Sequence, residues 1–452
     1  MENGSFPDRF LANVTTLVTG TSIAQAIPVL LAPVLARLYD PSEIGLFALY
    51  FAVASLAAAL STGRYELALM LPEADREARG LMLLSVAFCV AAAGVSAAAV
   101  LAMETWDLSW PGPAGLDVWF PYLPLGIFGL GLYQVLQGWA NRQKRYRRMA
   151  VANILQAGGT AIFQVLLRVA GAGPRGLLFG QLLGLAAAAG YLLWLEMASG
   201  EREAAVSVRE ILKLGRRYRK FPLFASWSGL LNTASIQVPL ILMSSFFAGA
   251  VVGSFSLALR VVKMPMTLLG VSVSQVFLNQ ASADKGEPEK LGALSFQVFQ
   301  KMLLLGAVPL SVVCFYGDVL FGFCFGSNWH TAGVYAQYLA VWVLSAFVVS
   351  PLTHLYSVLE RQLAGLVFNL LMFGSRVGCI VVGGVLLKDD LATMAIFSLT
   401  GAIVWVLACL HVLSLVGVPM ARTLRWLSGV GGGVFLVQYL LSAGIRSWIL
   451  GV

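Results

Sequence analysis

The chain has 452 residues, of which 59% are hydrophobic and only 12% are charged. Soluble domains carry roughly 25% charged residues, so this composition, with a mean hydropathy of +0.82, excludes a soluble globular protein. The net charge of +8 arises from basic residues in short loops between apolar runs. These residues are membrane-topology signals rather than a nucleic-acid-binding patch.

Apolar runs of about 20 residues recur from end to end, and each is long enough to cross about 30 Å of hydrocarbon as a helix. The runs are continuous in Leu, Val, Ala and Gly, without the alternation at every second residue that a membrane β-barrel requires. The sequence therefore predicts an all-α integral membrane protein with about twelve transmembrane helices. The predicted spans cover about 11–36, 44–71, 80–102, 118–140, 149–170, 176–195, 221–247, 251–280, 291–316, 332–359, 363–387 and 391–416.

Several residues within these spans are candidates for helix breaks, because proline removes a backbone donor and membrane helices tolerate such interruptions. They are Gln25 and Pro28 in the first span, Gln237 and Pro239 in the seventh, and Pro265 in the eighth. We expect the second span, in contrast, to be one helix, with no loop signal before Pro72. Residues 318–331 are expected to form a loop, and whether the apolar segment 429–450 crosses the membrane stays open.

Basic residues alternate between the connections. Loops after even-numbered spans are rich in Lys and Arg, whereas loops after odd-numbered spans nearly lack them, which predicts a cytoplasmic N-terminus. The longest polar connection contains VSVREILKLGRRYRK at 206–220. This pattern predicts an amphipathic helix on the membrane surface.

The second and eighth spans resemble each other in sequence. Residues 38–49 align without gaps on 246–257, which matches Gly45 with Gly253 and Phe47 with Phe255. Six spans per half place both halves in the same orientation, as in transporters built from parallel repeats. The predicted organisation is a six-helix lobe at 1–200, a basic linker at 201–220, a second six-helix lobe at 221–418 and a C-terminal segment at 419–452. The two lobes are expected to flank a central cavity.

Three stretches resemble the multidrug, oligosaccharidyl-lipid and polysaccharide exporter superfamily, and within it the O-antigen (Wzx-type) polysaccharide flippases. They are TGTSIAQAIPVLLAPVLARLYDPSEIGLFAL at 19–49, GRYELALMLP at 63–72 and SLALRVVKMPMTLLGVSVSQVF at 256–277. The resemblance implies two lobes around a cationic lumen in a bacterial inner membrane. It also implies transport of an undecaprenyl-pyrophosphate-linked oligosaccharide from the cytoplasmic to the periplasmic leaflet, for lipopolysaccharide or a related polysaccharide.

Cations deep within the spans fit such an anionic substrate. Arg260 lies about 15 Å into its span, Lys263 follows on the same face, and Arg376 is also deep. Because a pyrophosphate is a multidentate anion suited to guanidinium groups, we expect these residues to bind substrate. Arg168, at the outer end of its span, is a weaker candidate, since its side chain can snorkel to the interface.

Arg64 and Glu66 are charges within the second span. Arg64 is a candidate for receiving a headgroup from the cytoplasm, and an interfacial anchor is the alternative. Glu66 is either a proton- or sodium-coupling carboxylate or a member of a structural ion pair. Residues two apart on a helix point to nearly opposite sides. Unless Gly63 distorts the turn, we therefore expect Glu66 to pair with a cation on a neighbouring helix and Arg64 to face the cavity.

No metal or cofactor site is predicted. The five cysteines lack CxxC spacing, the three histidines are scattered, and there is no P-loop. A drug or cation antiporter of the same superfamily is the alternative function. A membrane polysaccharide polymerase or ligase is less favoured, because the external loops are only about fifteen residues long and lack a catalytic constellation. The expected partners are membrane lipids, the lipid-linked substrate and polysaccharide polymerase machinery.

Overall fold

The structure is a computed structural model, and it describes residues 20–106, 116–198, 206–264 and 266–434, together with Leu436 and Tyr439. Every regular element within these residues is a helix, which confirms the predicted all-α fold. Eleven helices in the described part are long and apolar enough to cross a membrane, and a shorter apolar helix covers Gly249–Val262.

By internal contacts the chain divides into two compact units, Met1–Val252 and Gly253–Val452. A 3₁₀ turn at Asp117–Tyr122 and a π-helical turn at Phe221–Ala225 each lead into a longer helix of the first unit. The helices of this unit are α1 (Gly20–Leu38), α2 (Pro41–Ser61), α3 (Tyr65–Ala68), α4 (Asp75–Thr105), α5 (Leu123–Arg142), α6 (Tyr146–Val169), α7 (Arg175–Ala198), α8 (Val208–Arg217) and α9 (Ser226–Phe246).

Helix α10 (Gly249–Val262) contains the point at which the two units divide. The remaining helices are α11 (Val271–Ala283), α12 (Pro288–Phe325), α13 (His330–Val349), α14 (Leu355–Val358), α15 (Gln362–Val381), α16 (Asp390–Leu415) and α17 (Met420–Trp426). Short 3₁₀ or π-helical turns join or extend several of them, at Met266–Gly270, Ser327–Trp329, Leu352–His354, Val382–Leu387 and Leu427–Gly431.

Each unit buries its apolar side chains in its own interior. In the first unit, Tyr39, Tyr50 and Trp119 form one cluster with Leu177 and Leu178. In the second unit, α13 is the most enclosed of the described spans. Long apolar side chains elsewhere point outward, which is the pattern of helices solvated by lipid rather than by water. Those of α4 include Val90, Val95 and Leu101.

The second predicted span is not one helix, and this expectation was wrong. Helix α2 ends at Ser61, and Gly63 and Arg64 both adopt left-handed backbone conformations, with φ of +58° and +56°. The Arg64 N–H donates to the Thr62 hydroxyl oxygen over 3.1 Å. Two consecutive left-handed residues end a right-handed helix, and glycine makes the first of them inexpensive. The turn is invisible to hydropathy because its flanking residues are apolar.

The eighth predicted span is also interrupted. Helix α10 ends at Val262, Lys263 lies in a turn, and a π-helical turn precedes α11. Helices α2 and α10 begin at Pro41 and Gly249, which the aligned stretches pair with each other. Both members of the internal repeat are therefore discontinuous. The break follows 21 residues of helix in the first copy and 14 in the second.

The candidate helix-break residues have different outcomes. Helix α9 continues through Gln237 and Pro239, so these two predictions were wrong. A proline removes one hydrogen bond, and packing of α9 against α2 holds the remaining ladder in register. In α1 the chain is helical at Gln25 and Pro28, and a bend at Leu31 interrupts the helix although the φ and ψ of this residue, −89° and −8°, stay in the right-handed region. Pro265 lies outside the described residues.

Two predicted boundaries also need correction. Residues 318–325 belong to α12 rather than to a loop, and the helix ends at Phe325 before Gly326, which has a φ of +104°. Helix α13 ends at Val349, ten residues before the predicted end, and Ser350 and Pro351 follow it. The linker contains a helix, α8, as predicted, and its location on a membrane surface stays a prediction. Residues 427–434 are helical, and most of the remaining segment lies outside the described residues.

Candidate functional site

Two of the predicted substrate-binding cations converge on one aromatic ring in the second unit. The Lys263 Nζ lies 4.9 Å from the centroid of the Trp342 ring, and the Arg376 Cζ lies 5.2 Å from the same centroid. Cations at such distances are attracted by the ring quadrupole, which contributes about 0.5–2 kcal/mol each. We call Arg260, Lys263 and Arg376 the cation cluster.

Three separate elements position this cluster. Lys263 follows the end of α10, Arg376 lies in the second half of α15, and Trp342 comes from the middle of α13. The edge of the Trp342 ring packs on Phe397 of α16, with the ring centroids 5.4 Å apart. Trp342 is almost completely buried, so packing fixes the position of the ring that the two cations contact.

Arg260 lies one turn before Lys263, and its side chain is exposed. Among the described residues, neither the Arg260 side chain nor the Lys263 side chain has a carboxylate or hydrogen-bond partner. The described acidic residues of this unit lie in connections or within about two turns of a helix end. A break within a spanning helix is where transporters commonly place ligand-binding groups. The arrangement suits an anion with several charged oxygens, because guanidinium and ammonium groups donate to it from different directions.

Arg64 and Glu66 form an ion pair in the first unit, with the Arg64 Nη1 3.6 Å from the Glu66 Oε1. The expectation that they point apart and that Glu66 pairs with a neighbouring helix was wrong. Arg64 stands outside the helix in the left-handed region, whereas Glu66 lies within α3. The spacing rule for side chains on a continuous helix therefore does not apply. The side chains are only 16% and 6% exposed, and within the described part of the chain neither carboxylate oxygen of Glu66 has a hydrogen-bond partner.

Glycines on two neighbouring helices make room for this ion pair. A Cβ at Gly229 of α9 would overlap the Arg64 guanidinium, and a Cβ at Gly138 of α5 would lie 3.3 Å from the Glu66 carbonyl oxygen. The intervening Tyr65 donates from its hydroxyl to the Gly215 carbonyl oxygen of α8 over 3.0 Å. The stretch after α2 is thus a junction at which α5, α8 and α9 meet; we call Gly63–Glu66 the junction turn.

Arg142 of α5 binds the segment that follows α3. Its guanidinium donates to the carbonyl oxygens of Leu69 and Pro72, over 2.7 and 2.8 Å, and to the Asp75 carboxylate over 2.7 Å. These bonds satisfy backbone acceptors that the end of a helix leaves open.

Arg168 is paired within the protein. Its Nη1 lies 3.0 Å from Glu43 Oε1, and its Cζ lies 4.8 Å from the Tyr39 ring centroid. Glu43 also accepts from the Asp40 N–H, within the capping box of α2. The structure thus places Arg168 beside a carboxylate and an aromatic ring.

Sequence reasoning missed three residues that shape these sites: Trp342, Arg142 and Gly229. A tryptophan in an apolar run resembles any core residue, and an arginine at the end of a span resembles a topology signal. Nothing local marks Gly229, since its role depends on a guanidinium from a distant part of the chain. Among the described residues, no group of three or more His, Cys, Asp or Glu side chains is placed to hold a metal ion.

Comparison with known structures shows the fold. The chain is similar to the lipid II flippase MurJ in an inward closed conformation, with a TM-score of 0.64 and 11% identity over 96% of this chain and 99% of that one. It is also similar to a multidrug resistance MATE family transporter of the MOP superfamily in an inward-facing conformation. That match has a TM-score of 0.59 and 13% identity, and covers 89% of this chain and 94% of the other.

A third similar structure is a MOP superfamily transporter from Pyrococcus furiosus. Its TM-score is 0.57, with 14% identity over 90% of this chain and 95% of that one. A sequence search of curated proteins finds no match. The family described as polysaccharide biosynthesis protein matches residues 34–334. The chain belongs to this polysaccharide biosynthesis protein family, and it has the fold of the MOP-superfamily transporters.

Proposed function

We propose that this protein is a flippase for an undecaprenyl-pyrophosphate-linked oligosaccharide, such as an O-antigen repeat unit. It moves this substrate from the cytoplasmic to the periplasmic leaflet of a bacterial inner membrane by alternating access. The substrate is translocated without a chemical change. Membership of a polysaccharide biosynthesis family and the shared fold with a lipid II flippase support this proposal.

The observation that carries the proposal is the cation cluster. Lys263 and Arg376 lie over one buried ring beside a break in a spanning segment, with Arg260 one turn away. Charges inside a spanning segment are energetically costly, so the charged residues found there usually have a partner or a function. A pyrophosphate provides several anionic oxygens for this cluster, while the sugar and polyprenyl parts of the substrate bind elsewhere.

Arg64 and Glu66 supply a second part of the proposed cycle. Arg64 exchanges its contact with Glu66 for the incoming headgroup, and Glu66 is then available to a proton or a sodium ion. This exchange makes Glu66 the coupling candidate. Arg168 is already paired with Glu43, so a substrate role for it requires the same kind of exchange.

The experiment that tests the proposal combines Arg260→Ala with Arg376→Ala in the native host. We expect surface polysaccharide to be lost while the protein remains at its normal level in the membrane. Arg361→Ala with Arg425→Ala is the matched control, because it removes two exposed arginines of the same unit. Normal polysaccharide in the first double variant, or equal loss in the control, contradicts the proposal.

A drug or cation antiporter is the second candidate, because MATE transporters share the fold. A cationic substrate favours carboxylates at its site, whereas the described part of the second unit brings cations together. Export of a fluorescent cation by the native chain that persists in the Arg260→Ala and Arg376→Ala variant would favour the antiporter.

A further inference from the structure

The linker helix α8 is docked on the first unit rather than free on the surface. Leu214 is buried and packs directly on Gly80 of α4, where a Cβ would lie 2.7 Å from the Leu214 Cδ1. Ser207 and Glu210 form a capping box at its first turn. The helix is thus fixed in position, with one face against α4 and the other outward.

Two ion pairs hold the two ends of α8. Arg76 Nη2 lies 3.0 Å from Glu210 Oε2 near the start, and Arg217 Nη1 lies 3.4 Å from Glu77 Oε2 at the end. Glu77 of α4 and Glu210 of α8 are both engaged in these pairs, and Asp75 of α4 accepts from Arg142. The other cations of the linker therefore have to find their counter-charges elsewhere.

Five cations of the linker have no carboxylate or hydrogen-bond partner among the described residues, and all five are exposed: Arg209, Lys213, Arg216, Arg219 and Lys220. Arg209, Lys213 and Arg216 are spaced by four and three residues, so they share one side of α8. We call these three residues the basic face. Its like charges repel one another unless an external anion neutralises them.

Apolar side chains lie beside the basic face. Val208 and Leu212 are 72% and 59% exposed, and their spacing of four residues places them in an adjacent row. Phe224 and Trp227 are also exposed where the chain enters α9. An apolar row next to a cationic row is typical of a helix that lies in the headgroup region of a bilayer, and exposed aromatic rings at the start of a span are typical of the same depth.

We propose that the basic face of α8 is a binding surface for anionic phospholipids of the adjacent leaflet. Lipid phosphates neutralise Arg209, Lys213 and Arg216, while Val208 and Leu212 enter the acyl boundary. This surface shares no residue with the cation cluster, and the proposal does not depend on the proposed flippase function. It also has a consequence for the junction turn, because Tyr65 donates to the Gly215 carbonyl oxygen of the same helix. Lipid bound at the basic face holds α8 in place, and thereby holds the turn that carries Arg64.

The test uses the full-length protein in nanodiscs that contain equal amounts of phosphatidylglycerol and phosphatidylcholine. The lipids retained by the protein are then counted by native mass spectrometry. Each basic residue beside an anionic leaflet contributes about a fivefold preference. We therefore expect the preference for phosphatidylglycerol over phosphatidylcholine to fall at least about fivefold in the variant Arg209→Gln, Lys213→Gln, Arg216→Gln. The preference of the native chain should also fall at high salt, since salt screens exposed charges.

The control variant is Lys144→Gln, Arg147→Gln, Arg148→Gln, which removes the same charge from the connection between α5 and α6 and from the first turn of α6. We expect it to lose less of the preference than the α8 variant, because the basic face lies beside the exposed apolar side chains of Val208 and Leu212. An unchanged preference in the α8 variant, or an equal loss in the control, overturns the proposal. An unchanged unfolding temperature in detergent ensures that a loss does not reflect misfolding.

Hydrogen exchange tests whether bound lipid holds α8 in place. Amides of α8 in the native chain should exchange more slowly in nanodiscs with phosphatidylglycerol than in pure phosphatidylcholine, and the α8 variant should show no such difference. Equal exchange of the native chain in both lipids would overturn the claim that lipid holds this helix in place.

Discussion

At the scale of a residue, the backbone conformation of Arg64 decides where a charge lies. A left-handed Arg64 and a helical Glu66 bring together two side chains that a continuous helix would hold apart. The left-handed region costs a residue with a Cβ about 1–2 kcal/mol. The ion pair and the packing on Gly229 offset this cost, and the surrounding helices fix the geometry.

The ion pair predicts a measurable coupling between its two members. We expect Arg64→Gln and Glu66→Gln, singly and together, to give an interaction free energy of about 0.5–3 kcal/mol in the free energy of unfolding in detergent. The physical reason is that each single change leaves the opposite charge buried. The pair Arg76 and Glu210, with side chains 50% and 45% exposed, is the control and should couple by about 0–1 kcal/mol. Additive effects at Arg64 and Glu66 would mean that the contact does not stabilise the fold.

At the scale of an element, α8 shows how a short helix is specified by its first turn. The Ser207 N–H donates to the Glu210 carboxylate over 2.9 Å, and this bond, with help from Arg76, holds the pKa of Glu210 below its ordinary value of 4.5. A carboxyl group whose pKa is depressed in the folded state stabilises that state above the unfolded pKa. The contribution is lost as the pH falls through the folded pKa.

The amides of α8 should therefore lose protection on acidification below the ordinary range of a glutamate. We expect hydrogen exchange, corrected for its intrinsic rate, to be faster at about pH 3 than at about pH 7 for residues 208–217. Glu210→Gln should remove most of this difference, because its neutral side chain does not titrate. Equal protection of the native helix at both pH values would contradict the assigned role of the capping carboxylate.

At the scale of the whole molecule, the distribution of basic residues predicts the orientation of the spans. Lys144 follows the fourth span and Arg175 follows the fifth, and both side chains are exposed. The experiment uses cells whose outer membrane has been removed and whose inner membrane is intact. We expect Lys144→Cys to be protected from a membrane-impermeant thiol reagent in these cells and Arg175→Cys to react with it. The native chain is the background control, since its five cysteines are buried or half-buried. The reverse labelling pattern would invert the proposed direction of transport.

Much of the architecture could be predicted from local sequence. Span lengths depend on runs of apolar residues, and the linker helix depends on an amphipathic pattern with a cap. The interruptions could not be predicted in the same way. The turn at Gly63 and the turn at Lys263 lie in apolar surroundings, whereas Pro239, a nominal breaker, is accommodated within α9. Hydropathy indicates whether a segment is surrounded by lipid or by water. It carries little information on where the backbone turns within that segment.

The sequence by itself determined that this protein is a helical membrane protein with a repeated pair of spans and cations deep in its second half, because hydrophobic length and charge are properties of the chain. Only the tertiary structure decided that Lys263 and Arg376 share the Trp342 ring, that Arg64 pairs with Glu66, and that Arg168 pairs with Glu43. The physical reason is that each contact joins elements whose approach depends on packing, or depends on a backbone turn that neighbouring helices stabilise.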